Sequence, residues 1–160
     1  MFELEISDLR SAIWLSQHWA THTISLIDPD VRFLSLPIAG EGKQLRRYYF
    51  HDICPNDTIS QLLANPTVVT RAQIEDILAF SQELTPTDKV LVHCHAGISR
   101  STAVACGILC QHGLTPCEAV EQVFTLRKQA YPNRYIISLL DEILGLNGQL
   151  EQIVKERTRF

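Results

Sequence analysis

Short apolar runs alternate along this chain with longer segments in which apolar residues recur at helical spacing. Three of the runs have the length and composition of buried strands, at 23–27, 45–50 and 90–92. The helical spacing, together with end signals such as Thr-Pro at 115–116, predicts helices at about 9–20, 71–84, 102–109, 116–128 and 134–144. Strands that alternate with helices indicate an α/β domain, with a central, mostly parallel sheet flanked by helices.

The length of 160 residues favours a single domain covering 1–160. Its last segment, 147–160, is polar with a few apolar positions, and is predicted either as a docked helix or as a frayed end. Apolar residues make up 46% of the chain, which excludes a disordered protein. The net charge of −4 argues against nucleic acid as the main partner.

Two further observations bear on the compartment. The chain has no apolar run long enough to cross a membrane, and its first residues lack the basic and apolar regions of a signal peptide. Five scattered cysteines are typical of a reducing environment and not of a disulfide framework. We therefore expect a cytoplasmic protein without a membrane partner.

The segment His93–Ser101 carries the candidate chemistry. It lies between the predicted buried strand at 90–92 and the predicted helix at 102–109, so it is a tight turn from a strand into a helix. Such a turn binds an oxyanion, because the first amides of a helix are unpaired and partly positive. The same field favours the thiolate of Cys94, which makes it a nucleophile at neutral pH. His93 could orient the loop by bonding to backbone carbonyls.

Each residue type in the turn suits phosphoryl transfer. Cys94 would attack phosphorus in line with the leaving oxygen, and Arg100 offers a planar fork of donors for two phosphate oxygens. Gly97 permits a positive φ and a close approach to the anion. Ser99 and Ser101 could cap the following helix, and Ser101 could also bond to the departing sulfur.

The string V-L-V-H-C-H-A-G-I-S-R-S at 90–101 resembles the phosphate-binding loop of the cysteine-dependent protein tyrosine phosphatases, in their compact dual-specificity-like branch. The resemblance implies a protein phosphatase fold with the loop between a central strand and a helix. It also implies hydrolysis of phosphotyrosine through a phosphocysteine, with phosphoserine or phosphothreonine as further substrates. Lysines, which phosphoinositide phosphatases of the superfamily tend to carry, are absent from the variable loop positions His95, Ala96, Ile98 and Ser99.

Two other strings extend the resemblance over about residues 22–146. Leu126-Arg127 followed by Tyr131-Pro132-Asn133 is similar to a later family segment, in which Asn133 opens a helix and supports the loop. Phe50-His51-Asp52-Ile53 is similar to a string of small predicted bacterial tyrosine phosphatases. The implied partner is a phosphorylated protein. No metal or other cofactor is predicted, and the oligomeric state is left open.

The leaving oxygen needs a proton, so a carboxylic acid should lie over the loop. In the family this acid is an Asp after a strand upstream of the cysteine. Asp52 closely follows the predicted strand at 45–50, and we favour it for that position. Asp57, in Pro-Asn-Asp-Thr, resembles the acid loop of some dual-specificity members and is the alternative, although the same string is an ordinary turn or helix cap.

Two other functions use a similar loop. A phosphate-binding pseudophosphatase or interaction module would keep the loop and lack a working acid, and an arsenate-reducing or sulfur-transfer enzyme would use the cysteine differently. The intact Cys94 and Arg100 argue against the first, and His93 with Ser101 argues against the second. A disulfide between Cys54 and an oxidised Cys94 also remains open.

Overall fold

A computed structural model of the chain describes residues 1–31 and 35–159. Its strands are β1 (Glu3–Ser7), β2 (His22–Ile27), β3 (Gln44–Tyr49) and β4 (Lys89–His93). Its helices are α1 (Leu9–His18), α2 (Thr58–Leu62), α3 (Arg71–Ser81), α4 (Arg100–Gln111), α5 (Pro116–Leu126), α6 (Arg134–Leu144) and α7 (Gln149–Arg157).

The four strands form one parallel sheet in the order β1-β4-β2-β3, which confirms the predicted α/β class. Strand β1 was not predicted. It pairs along its whole length with β4, from Glu3 opposite Lys89 to Ser7 opposite His93. This pairing places β4 inside the sheet, so the turn that follows β4 opens at the carboxyl edge of the sheet, where open α/β sheets bind ligands.

Alternate residues of β4 pack on opposite faces of the sheet. Val90 and Val92 belong to the main core, which also contains buried apolar residues of α3 to α7. Leu91 points the other way and packs with Ala12 and Ala20 at α1 and its C-terminal end. Because both faces are covered, β4 is a continuous apolar run and not an alternating one.

Side-chain caps define several helix ends. Thr115 accepts the N–H of Glu118, and Asn133 accepts the N–H of Ile136, as the predicted caps require. The left-handed Gly145 ends α6, with φ of 67°. The buried carboxylate of Asp141 accepts backbone N–H groups at the start of α7, at 2.7 to 3.1 Å.

The C-terminal segment forms helix α7, which packs against α5 and α6 and buries Leu150 and Val154. Within 1–31 and 35–159, the helices are too short or too polar to span a bilayer.

Candidate active site

The turn predicted to carry the chemistry connects β4 directly to α4. Residues 94–99 form the loop, and Arg100 is the first residue of α4. We call residues 94–100 the phosphate loop. Cys94, Gly97 and Arg100 are buried, whereas the other residues of the loop are partly or fully accessible.

Six consecutive carbonyls of the phosphate loop each accept a hydrogen bond from outside the loop or from its flank. The donors are His93 Nδ1 to Cys94 O, Leu9 N to His95 O, Arg127 Nη2 to Ala96 O, Arg127 Nε to Gly97 O, Tyr131 N to Ile98 O and Asn133 N to Ser99 O, at 2.8 to 3.1 Å. In a planar trans peptide the N–H points away from the C=O. The amides of residues 95–100 therefore turn towards the middle of the loop, as an oxyanion site requires.

Gly97 is needed for this geometry. Its φ of 68° lies in the left-handed region. A Cβ at this position would lie 2.6 Å from the carbonyl carbon of Ser7 and 2.8 Å from Arg127 Nη2. The glycine therefore allows the loop to pass close to the end of β1, as well as to adopt the turn.

The sulfur of Cys94 lies among hydrogen-bond donors. The N–H of Gly97 donates to Sγ at 3.3 Å, and the hydroxyl of Ser101 lies 3.2 Å from it. Both groups stabilise negative charge on the sulfur. Cys94 as a whole is only 3% exposed. The predicted contact between Ser101 and the sulfur is thus present.

The guanidinium of Arg100 is held on one side only. Its Nη1 donates to Asp28 Oδ1 at 2.6 Å and to the carbonyl of Phe50 at 2.7 Å. Its Nε is buried and has no hydrogen-bond partner among the described residues. A buried donor without a partner is costly, so the Nε edge suits an oxyanion supplied by a ligand. Asp28 is a site residue that the sequence patterns do not indicate.

His93 is fully buried beneath the loop. Its Nδ1 lies 3.1 Å from the Cys94 carbonyl, and its Nε2 lies 2.7 Å from the hydroxyl of Ser25. Burial lowers the pKa of His93 to about 4, and the positive charges of Arg47 and Arg100 act in the same direction. The ring is therefore neutral under physiological conditions, and it binds the loop as a hydrogen-bonding group and not as a cation.

Asp52 connects the phosphate loop to α6. Its Oδ1 accepts the Ser99 hydroxyl at 2.8 Å and Asn133 Nδ2 at 2.9 Å. The expectation that the side chain of Ser99 caps α4 is wrong, because its hydroxyl is bonded to Asp52 and makes no cap bond. Asn133 combines three tasks: it caps α6, bonds Asp52, and donates to the carbonyl of Ile53 at 3.2 Å.

Asp57 lies at the start of α2 and acts as its cap. Its Oδ1 accepts the N–H of Ser60 at 2.6 Å, and its Oδ2 accepts the N–H of Cys54 at 2.9 Å. These backbone N–H groups stabilise the ionised carboxylate and hold the pKa of Asp57 below its usual value. All five cysteines are free thiols, so a disulfide between Cys54 and Cys94 stays a prediction.

Comparisons with known proteins show which solved structures share this fold. No family model matches the chain. It is 46% identical over 54 residues to dual specificity protein phosphatase 1B of Arabidopsis thaliana, a match that covers 33% of the chain and only 32% of that protein. Human DUSP28 is similar in structure, with a TM-score of 0.64 at 23% identity over 90% of this chain and 89% of that one.

A mouse putative dual specificity phosphatase, whose crystal structure is a complex with zinc tungstate, has a TM-score of 0.55 at 25% identity. That match covers 94% of this chain and 86% of the mouse chain. The likeness of the string at 50–53 to small bacterial enzymes stays a prediction. The sequence-based recognition is confirmed at the level of the superfamily: the chain has the fold of the cysteine-dependent protein tyrosine phosphatases, in their dual-specificity-like branch.

Proposed function

We propose that the chain is a protein tyrosine phosphatase that hydrolyses phosphotyrosine in proteins through a phosphocysteine on Cys94, with phosphoserine and phosphothreonine as further substrates. The observation that carries the proposal is the pairing of two features in one loop. A sulfur with two adjacent donors lies beside inward-facing amides, and the buried Nε of Arg100 has no partner in the described part of the chain.

In the first step the thiolate of Cys94 attacks phosphorus, and the bond from phosphorus to the leaving oxygen breaks. The loop amides and the Nε edge of Arg100 bind the equatorial oxygens, where charge spreads in the transition state. The leaving oxygen takes a proton from a carboxylic acid. Water then attacks the phosphocysteine, the same carboxylate takes the proton of the water, and Ser101 bonds to the sulfur as it departs.

Asp52 is the acid that the contacts favour. It reaches the phosphate loop itself through Ser99, and the described residues donate to its Oδ1 and not to its Oδ2, which is therefore the oxygen that would carry the proton. Asp57 has both oxygens engaged by backbone N–H groups and a lowered pKa, so it is a stable anion at the start of α2. We therefore keep Asp52 as the acid, with Asp57 as the alternative.

The two carboxylates are distinguished by a matched pair of substitutions. Asp52→Asn should flatten the alkaline limb of the kcat/KM profile and should strongly lower kcat for an alkyl phosphate, whose leaving group is poor. It should affect p-nitrophenyl phosphate much less. Asp57→Asn keeps a capping side chain and should leave both substrates nearly unchanged. The opposite result would assign the acid to Asp57, and no effect from either would place it elsewhere.

The proposed substrate is a phosphorylated protein. The net charge of −4 and the absence of lysine at the variable loop positions argue against polyanionic nucleic acid and phosphoinositide substrates. A working Cys94 must be reduced, and all five cysteines are free thiols, which supports a reducing compartment such as the cytoplasm.

The overall proposal is tested with p-nitrophenyl phosphate and a phosphotyrosine peptide, in the presence of a chelator. We expect turnover that vanadate inhibits and that Cys94→Ser abolishes, while the serine variant still binds vanadate through the unchanged amides and Arg100. Acid quenching during turnover should trap phosphate on the wild-type chain and not on Cys94→Ser. Anion binding without turnover would indicate a pseudophosphatase. Arsenate reduction without phosphatase activity would indicate an arsenate-reducing enzyme.

A further inference from the structure

We infer that Ser25 and Arg47 are positioning residues that fix the ring orientation of His93, whose tautomer is set by the Cys94 carbonyl. Through His93 they hold the Cys94 carbonyl in its outward direction, and with it the first inward amide of the phosphate loop. The consequence for catalysis rests on the proposed function, whereas the tautomer does not.

Three neighbouring strands bring these residues together. Ser25 of β2 lies opposite His93 of β4 on one side and opposite Arg47 of β3 on the other. The three positions therefore form one row across the sheet, immediately below the phosphate loop. Ser25 and His93 are fully buried, and Arg47 is half-buried at the end of the row.

The direction of each hydrogen bond in the row follows from the chemistry of its groups. The Cys94 carbonyl can only accept, so the Nδ1 of His93 must donate. The ring carries a single ring N–H, because burial lowers the pKa of His93 to about 4. Its Nε2 is then an acceptor, and the hydroxyl of Ser25, at 2.7 Å, must donate to it.

Arg47 completes the row. A guanidinium has donors only, so Arg47 Nε donates to Ser25 Oγ at 3.2 Å and occupies a lone pair of the hydroxyl. The single hydroxyl proton is then directed at His93. The Nη2 of Arg47 donates to the carbonyl of Pro37, which fixes the other end of the guanidinium. From Arg47 through Ser25 and His93 to the Cys94 carbonyl, each group thus donates to the next one.

The charges around His93 keep this arrangement in one state. The ring is surrounded by two permanent cations, Arg47 and Arg100, and by the titratable ring of His95. Positive charge on any of these groups disfavours protonation of His93. A protonated ring would turn an Nε2–H towards Ser25 and reverse the direction of that bond. The row therefore keeps its polarity over the pH range in which the proposed reaction takes place.

The tautomer is tested by NMR on the full chain with ¹⁵N-labelled histidine. We expect the ring of His93 to show a protonated Nδ1 and an unprotonated Nε2 from pH 6 to 8. Ser25→Ala should leave the Nδ1 proton in place and shift the Nε2 signal towards that of an acceptor without a donor. A protonated Nε2 in the wild-type chain would overturn the inference.

The consequence for the site is tested by kinetics, with Arg46→Met as the matched control. Arg46 is the neighbour of Arg47 on β3, is exposed and pairs with Asp76 at 3.4 Å. We expect Ser25→Ala and Arg47→Met to lower kcat for p-nitrophenyl phosphate roughly tenfold or more with little change in KM, because a small misplacement of reacting groups is costly. Arg47→Lys, which keeps a charged donor, should recover part of the loss.

Folding is checked by circular dichroism for each variant. Equal kcat in Arg47→Met, Ser25→Ala and Arg46→Met would overturn the positioning role. If the wild-type chain lacks phosphatase activity, the rate at which iodoacetamide alkylates Cys94 is compared across the same variants, so the inference is tested separately from the proposed function. Identical alkylation rates would then overturn it.

Discussion

Replacing Arg100 with lysine removes one specific part of the candidate site and leaves the charge in place. The Nη1 of Arg100 already donates to Asp28 and to the Phe50 carbonyl. The edge of the guanidinium that carries Nε is therefore the one that can bind an anion. A lysine ammonium has three donors at one point. It cannot hold both anchors and also grip two phosphate oxygens in a plane.

The size of the effect follows from the bonds lost. At least one charge-assisted hydrogen bond to the transition state disappears, and the loss of one such donor costs about 3 kcal/mol. Arg100→Lys should therefore lower kcat for p-nitrophenyl phosphate roughly 100- to 1000-fold. The thermal midpoint of unfolding should change little compared with this loss of kcat, because Asp28 can still pair with the lysine ammonium.

The matched control is Arg127→Lys. Arg127 is also bidentate, but its Nε and Nη2 bind the carbonyls of Gly97 and Ala96, which point away from the middle of the loop. We expect roughly a tenfold loss, through a less well-held loop. The reasoning is refuted if Arg100→Lys stays within a few-fold of wild type, or if both variants lose the same activity. The first result would mean that Arg100 contributes only positive charge, and the second that it acts, like Arg127, only by supporting the loop.

Three further substitutions test other parts of the structure. Gly97→Ala places a Cβ 2.6 Å from the backbone of Ser7 at a positive φ, so urea titration should detect a loss of roughly 1–3 kcal/mol and turnover should fall at least tenfold. Asp28→Asn removes the charge opposite Arg100, so vanadate, measured by its inhibition constant, should bind at least as tightly while kcat falls about tenfold. The pKa of Asp88 is lowered because the Thr85 N–H binds its carboxylate. The ionised carboxylate therefore stabilises the fold fully above pH 3.8, and this stabilisation is lost as pH falls through the lowered pKa of the folded state. The thermal midpoints of wild type and Asp88→Asn should differ at pH 7 and converge in acid.

The parts of the site that could be predicted from sequence are those encoded locally. Cys94, Gly97 and Arg100 lie within seven consecutive positions, and the apolar run before them and the helix after them fix the turn. Caps such as Thr115 and Asn133 were predicted for the same reason, because a cap bonds to an amide three residues away.

Strand β1 was missed because its signal is weak on its own. Glu3–Ser7 is five residues long and includes two glutamates, so it has the alternation of a half-buried strand but little apolar character. What makes it a strand is its pairing with β4, a segment far along the chain, in which Glu3 lies opposite Lys89. Pairing between distant segments is not encoded in a local period.

Asp28 and Arg47 could not be found for a related reason. Asp-Pro-Asp at 28–30 is fully explained as a turn, and the arginine pair Arg46-Arg47 in β3 is fully explained as surface charge. Their roles arise from the parallel order of β3, β2 and β4, which brings them to the phosphate loop. Sequence patterns give the chemistry of the loop, and the sheet order gives the residues that hold it.

The way the loop is held explains why so small a motif needs a whole domain. Its carbonyls are bound by the first turn of α1, by Arg127 after α5, and by the segment at 131–133 before α6. These donors come from both faces of the sheet, and each is fixed before any anion arrives. A site built in this way does not have to reorganise its dipoles during the reaction, and reorganisation is the largest cost of stabilising charge in water. Substitutions at these distant donors should therefore lower kcat strongly and the stability of the fold only slightly. The reason is that they release the loop carbonyls and leave the apolar core packed.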